Sequence, residues 1–228
     1  MKGRFISIIF IICFMQIKSF SQSAKDFGVW TKAGLEYKLN DKLNLSFSEG
    51  LRMRENTTRL NSLYSELGLE YKIVKGIKTS LSYRSMQRLE KENYFSFRHR
   101  FAWDVNYKYS NGRFTLGYRH RLQTGVRKYY SSKLGKIPAW NYRHRLQVKY
   151  EYNKRIEPFA SAEVNIQLYD ARQMMFNNNA NRLRYQLGTD IKLNAKSSIS
   201  VYYMIQDEFN TEKETDQYIF GFEYCYKF

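Results

Sequence analysis

The final eleven residues place Tyr218, Phe220, Phe222, Tyr224, Tyr226 and Phe228 at every second position, with Ile219, Gly221, Glu223, Cys225 and Lys227 between them. Side chains alternate across a β-strand, so this segment presents one wholly aromatic face and one small or polar face. Such a strand needs an apolar medium on one side and water or polar protein on the other. In a transmembrane barrel that medium is lipid.

The same period of two runs through the chain. Residues 27–39 put Val29, Thr31, Ala33, Leu35, Tyr37 and Leu39 on one face, against Lys32, Gly34, Glu36 and Lys38. Residues 43–54 repeat the pattern, except that Glu49 falls on the apolar face. A bulge beside Gly50 would restore the phase there. Further strands are predicted over 61–73, 77–89, 94–109, 113–125, 141–152, 156–168, 182–193, 197–208 and 217–228. The connections at 40–42, 74–76, 110–112, 153–155 and 194–196 are short, whereas those between them are mostly longer. Short turns on one rim and longer loops on the other are the arrangement of an outer-membrane barrel, with the short side periplasmic.

Aromatic placement gives the same orientation. Tyr37, Tyr71, Tyr107, Tyr109, Phe114, Tyr150, Tyr152, Tyr226 and Phe228 all lie on the apolar face near the short-turn rim, as a girdle at a membrane interface requires. The fold expected is therefore an all-β, antiparallel up-and-down transmembrane β-barrel occupying residues 22–228 as one domain. Eleven strands are readable, but bacterial single-chain barrels have an even number. Parity therefore predicts 12, with 10 as the alternative and residues 22–30 as the source of an extra short strand.

Residues 1–21 read as a cleaved signal peptide: Lys2 and Arg4, an apolar run from Phe5 to Ile17, then small residues at Ser19 and Ser21. Export to the bacterial outer membrane follows. Without Lys2, Arg4 and Lys18, the formal charge of +17 falls to +14, and Cys225 is the remaining cysteine, so no intramolecular disulfide can form. A chain that is 17% aromatic, with 20 tyrosines and two prolines, lacks the composition of a disordered basic protein.

Three segments carry a family resemblance: Asp26-Phe27-Gly28-Val29-Trp30, Leu63-Tyr64-Ser65-Glu66-Leu67-Gly68-Leu69-Glu70-Tyr71 and Phe97-Arg98-His99-Arg100-Phe101. With them the whole mature chain resembles domain-of-unknown-function family 2490. That resemblance implies an outer-membrane β-barrel of Gram-negative bacteria and brings no activity and no catalytic residues with it.

Arg-His-Arg occurs three times, at Arg98-His99-Arg100, Arg119-His120-Arg121 and Arg143-His144-Arg145, and takes up every histidine. The flanking aromatic or leucine residues set the phase, so the histidines face lipid and all six arginines face the lumen. Arg52, Arg54, Arg84, Arg88, Arg182 and Arg184 add to the external half. The inward acids Glu66, Glu70, Asp104, Glu151, Asp190 and Glu223 fall at mid-height or below. Two readings of the arginines follow. They fill the interior as partners of carboxylates, which suits the fixed fork of the guanidinium, or their surplus forms a site or constriction for a small anion. A lumen of this kind is porin-like.

The alternative class is an enzyme acting on lipid or lipopolysaccharide. Its best residues are His99, His120 and His144, imidazole being the usual general base near neutral pH. A serine would have to lie within reach. Ser65 and Ser85 share the outward face, but neither is on a strand next to all three histidines, which otherwise pack between tyrosines. No zinc-type cluster and no phosphate-binding glycine loop is present in the sequence, and neither a metal nor another cofactor is expected. The partners expected are outer-membrane lipid, lipopolysaccharide and, through the strand ending at Phe228, the barrel-assembly machinery. External Arg127, Lys128, Lys133 and Lys136 beside Tyr129 and Tyr130 suit lipopolysaccharide phosphates or plain solvation. Nucleic acid is not expected, because the arginines are placed inside and the chain is exported.

Overall fold

A computed structural model describes residues 24–90, 93–127, 136–212 and 214–228. Eleven strands among these residues form a closed barrel: β1 (Ala24–Lys38), β2 (Leu43–Arg54), β3 (Arg59–Val74), β4 (Ile77–Leu89), β5 (Phe95–Asn111), β6 (Phe114–Arg127), β7 (Ala139–Tyr150), β8 (Ile156–Tyr169), β9 (Asn179–Lys192), β10 (Ser197–Glu208) and β11 (Thr215–Lys227). Each strand pairs antiparallel with its neighbours in sequence. The signal-peptide segment lies outside the described residues, as do Lys128, Tyr129, Tyr130 and Lys133.

Among the described residues the count is eleven, within the expected 10 to 12 but not the even number that parity favoured. Residues 24–30 extend β1 rather than forming a strand of their own. An odd number of up-and-down strands leaves the first and last running the same way, so closure must be parallel. β1 and β11 accordingly pair parallel from Ala24 opposite Thr215 to Glu36 opposite Lys227. The pairing removes both open edges, which lipid would not tolerate. Ion pairs between Lys32 and Glu223 inside the wall and between Lys227 and Glu36 near its lower end cross the seam.

The outer wall carries the apolar residues. Leu67, Leu81, Phe101, Tyr185 and Leu187 are each at least half exposed, and so are Tyr37, Tyr109, Phe114, Tyr152 and Phe228 of the lower girdle. Within that girdle, Phe114 and Tyr150 rings approach to 5.0 Å and Tyr37 and Phe228 to 6.4 Å. A wall of this kind is stable facing hydrocarbon and unstable facing water.

Inside, Phe159, Tyr202, Met204 and Ile219 form a small apolar cluster with Trp30 packed against it, on the β8–β11 and β1 side. Glycines make room for its rings. A Cβ at Gly221 would stand 2.0 Å from Cζ of Tyr202, and one at Gly50 2.2 Å from Cζ of Tyr64. Gly50 is therefore a socket for a ring, paired regularly with Tyr64, and the irregularity in β2 lies between Arg52 and Met53. With no bulge beside Gly50, Glu49 stays on the outer face and exposed.

Candidate functional site

Register decides what the three Arg-His-Arg segments do. Strands β6 and β7 pair with Arg119 opposite Arg145, His120 opposite His144 and Arg121 opposite Arg143. Arg84 faces Arg100 between β4 and β5, and Arg98 faces Arg127 between β5 and β6. Directly opposed like charges destabilise a sheet, so the barrel must bring in carboxylates from other strands.

It does so at five carboxylates. Arg121 donates from Nε and Nη2 to the two oxygens of Asp104, 2.6 Å each, a fork-on-carboxylate contact. Arg84 Nε donates to Glu66 at 2.7 Å, and Arg98 pairs with Glu90 near the long-loop rim. Arg182 pairs with Glu208 at 2.7 Å. At the centre, Glu163 on β8 accepts from Arg119 at 2.6 Å, from Arg184 at 3.1 Å and from both Nε and Nη2 of Arg143. Glu163 and Asp104 are buried, so each carboxylate needs its guanidinium partners to offset the hydration it has lost.

Glu163 is not among the inward acids expected from the sequence. Its signal was available, since Ser161, Glu163, Asn165 and Gln167 alternate along β8 toward the lumen. That Arg119, Arg143 and Arg184 from three different strands converge on it is a consequence of closure and register.

Arg100 and Arg145 complete the six arginines of the repeats, and neither has a hydrogen bond or ion pair among the described residues. The charged groups that act most strongly on Arg100 are Arg84, Arg52, Arg143 and Arg182, all cations. Arg52 also lacks a carboxylate. Its guanidinium lies 3.9 Å from the Trp30 ring centroid and 5.1 Å from that of Tyr64, and its Nε is buried without an acceptor. Tyr64 in turn carries Arg84 on its ring at 4.0 Å. Aromatic faces thus stabilise part of the surplus charge.

Among the described residues, two cavities lie along the lumen. One, of about 860 Å³, reaches the long-loop rim past Arg98, Arg127 and Arg172 and has Arg100 and Arg143 in its wall. The other, of about 410 Å³, lies at the short-turn rim beside Lys108, Arg113 and Glu151. Arg119, Arg145, Gln147 and Lys149 belong to the walls of both. Lys149 is paired with Asp190 and Arg119 with Glu163, whereas Arg145 makes no direct ion pair among the described residues and feels Glu163, Asp104 and Glu223 only at longer range.

At the long-loop rim, the Glu90 carboxyl is held below its ordinary value. Partial burial works against ionisation there, and the Ser96 hydroxyl and the Arg98 guanidinium outweigh it. Asp170 is lowered in the same way, against burial, by Arg172, which grips it from Nε at 2.7 Å and from Nη2 at 2.6 Å.

On the outer wall each histidine of the repeats is joined to a tyrosine of the adjacent strand. The Nδ1 atoms of His99, His120 and His144 lie 2.8 Å from the hydroxyls of Tyr83, Tyr142 and Tyr118 respectively. These bonds answer the cost of polar nitrogen in hydrocarbon. His120 and His144 also pack edge to face, with centroids 4.9 Å apart. No group of three or more potential metal ligands occurs among the described residues.

Comparison with known proteins places this geometry in context. The family described as "Protein of unknown function (DUF2490)" matches residues 27–218. No curated protein matches the chain. Among solved structures, the NanC porin is similar over 85% of this chain and 95% of its own, with a TM-score of 0.51 and 10% identity. LpxR from Salmonella typhimurium is similar over 81% of this chain and 83% of its own, with a TM-score of 0.50 and 10% identity. At such identities the likeness extends to the barrel fold.

Proposed function

For this chain, which belongs to the DUF2490 family, we propose that the barrel sits in the bacterial outer membrane and binds small anions in its arginine-lined lumen, passing them between its two rims. The observation that carries this reading is the junction of the two cavities, where Arg145 meets both spaces without a direct ion pair among the described residues. An anion entering from the long-loop side would pass Arg98, Arg127 and Arg172 at the rim, then Arg100, then the arginines around Glu163, then Arg145. Each step exchanges water or one guanidinium for another, which is what passage through successive weak sites requires. The paired arginines hold the wall in shape, and the unpaired ones attract the ion.

The test is conductance of the purified protein in planar bilayers under a potassium chloride gradient. The reversal potential should report preference for chloride, and Arg145→Ala and Arg100→Ala should each reduce that preference. A protein without measurable conductance, and without binding of phosphate or small carboxylates by calorimetry, would leave the arginines with a structural role alone.

A further inference from the structure

Of the three Arg-His-Arg segments, one faces a different neighbourhood on the lipid side. Strand register sets Glu49 of β2 opposite Ser65 of β3, Ser65 opposite Ser85 of β4, and Ser85 opposite His99 of β5. A row of four polar side chains therefore crosses four adjacent strands of a wall otherwise made of exposed apolar residues such as Phe47, Leu63, Leu67, Phe97 and Phe101. Directly opposed residues have Cβ atoms roughly 5 Å apart, so each member stands beside the next. Polar groups on a lipid-facing wall cost free energy, which makes such a row a functional site by default.

The pairing within the row is incomplete in an informative way. His99 is held at Nδ1 by the Tyr83 hydroxyl, at 2.8 Å, which fixes the ring and leaves Nε2 available. Ser85, Ser65 and Glu49 have no hydrogen-bond or ion-pair partner among the described residues. His120 and His144 differ, because they oppose each other and have no serine across the strand pair. Ser85 and His99 are each four residues from the long-loop ends of their strands, Leu89 and Phe95, and so lie toward the outer leaflet in the orientation given above.

We propose that Ser85 and His99 form a nucleophile and general base for ester cleavage of an acylated glycerolipid in the outer leaflet, with Tyr83 as the residue that positions the imidazole. A nucleophile beside a base whose second nitrogen is held by a third group is the arrangement this chemistry needs. His99 Nε2 takes the proton of Ser85 Oγ as that oxygen bonds to the ester carbonyl carbon. The carbon–oxygen bond to glycerol breaks, and the proton passes from His99 to the departing glycerol oxygen. Water from the interface then attacks the acyl-serine, His99 again taking and returning the proton, to release the fatty acid. Ser65 and Glu49 extend the polar row beside the ester, where a headgroup would lie. The site is on the opposite face of the wall from the arginine lumen, so it stands or falls independently of conductance.

The experiment is labelling of the folded barrel, in detergent micelles and in phosphatidylethanolamine vesicles, with a long-chain alkyl fluorophosphonate, which loses fluoride as Ser Oγ bonds to phosphorus. Mass spectrometry should locate the label on Ser85. Ser85→Ala should abolish labelling, His99→Asn should slow it by roughly 100-fold or more, and Ser65→Ala should leave the site of labelling unchanged. Tyr83→Phe should shift the pH profile of labelling while the folded barrel persists. Fatty acid should be released from the vesicles by the unaltered protein and not by Ser85→Ala. Absence of label on Ser85, or labelling equally fast in His99→Asn, would overturn the proposal. Circular dichroism of each variant separates these outcomes from a loss of fold.

Discussion

Arg145 stands directly opposite Glu163 across the β7–β8 pair, yet the carboxylate binds Arg119, Arg143 and Arg184 instead. The reason is capacity. A carboxylate offers about four lone-pair sites, and Glu163 already accepts from Nη2 of Arg119, Nε and Nη2 of Arg143 and Nη1 of Arg184. The nearest residue across the strands is thereby left as a spare cation at the junction of the two cavities.

Removing that spare cation should alter selectivity and little else. Arg145→Ala is expected to lower the anion-to-cation permeability ratio measured from reversal potentials. Its unfolding free energy in urea should stay within about 1 kcal/mol of the unaltered protein, since no ion pair among the described residues is broken.

Glu163→Gln should behave in the opposite way. Three guanidinium groups lose a shared, buried counter-charge, and breaking a buried pair from one side costs about 3–5 kcal/mol. The urea midpoint should fall accordingly, and anion preference should rise because the lumen gains net positive charge.

Gly221→Ala tests the packing of the seam. Its Cβ would stand 2.0 Å from Cζ of Tyr202, a ring buried inside the barrel across the β10–β11 pair. The ring must move, at a cost of about 1–3 kcal/mol. The companion Tyr202→Ala, Gly221→Ala should recover little, since it trades the clash for a cavity. Equilibrium unfolding of both variants measures this.

Acid should loosen the long-loop rim at Glu90. Its carboxyl titrates lower in the folded protein than the ordinary value of 4.5, with Ser96 and Arg98 as its partners. A lowered folded value means that the stabilisation is complete above the unfolded pKa and disappears as pH falls through the folded one. Amide exchange around residues 93–97 should therefore accelerate as pH drops below about 4.5, after correction for intrinsic rates. Glu90→Gln should exchange at the faster level throughout and lose this dependence.

Much of the barrel is legible in the sequence because a side-chain period of two leaves little freedom. The alternation from Val29 to Leu39 or from Phe220 to Phe228 assigns each residue to lipid or lumen, and the predicted strands fall within a few residues of those observed. The inward direction of the six repeat arginines follows from the same parity. Glu49 shows the limit of pattern reading. Its exception to the alternation suggested a bulge, whereas register keeps it outward at the end of a polar row.

By itself the sequence determined faces, strand order and the short-turn rim, all of which depend on neighbours along the chain. Tertiary structure decided the rest: that eleven strands close through a parallel β1–β11 pair, that Glu163 gathers three arginines and misses the one opposite, and that Ser85 meets His99 while the other two histidines meet each other. Those relations depend on the register and circumference of the closed barrel. Backbone pairing sets them all at once, because a shift by one residue anywhere would turn a lumen face toward lipid.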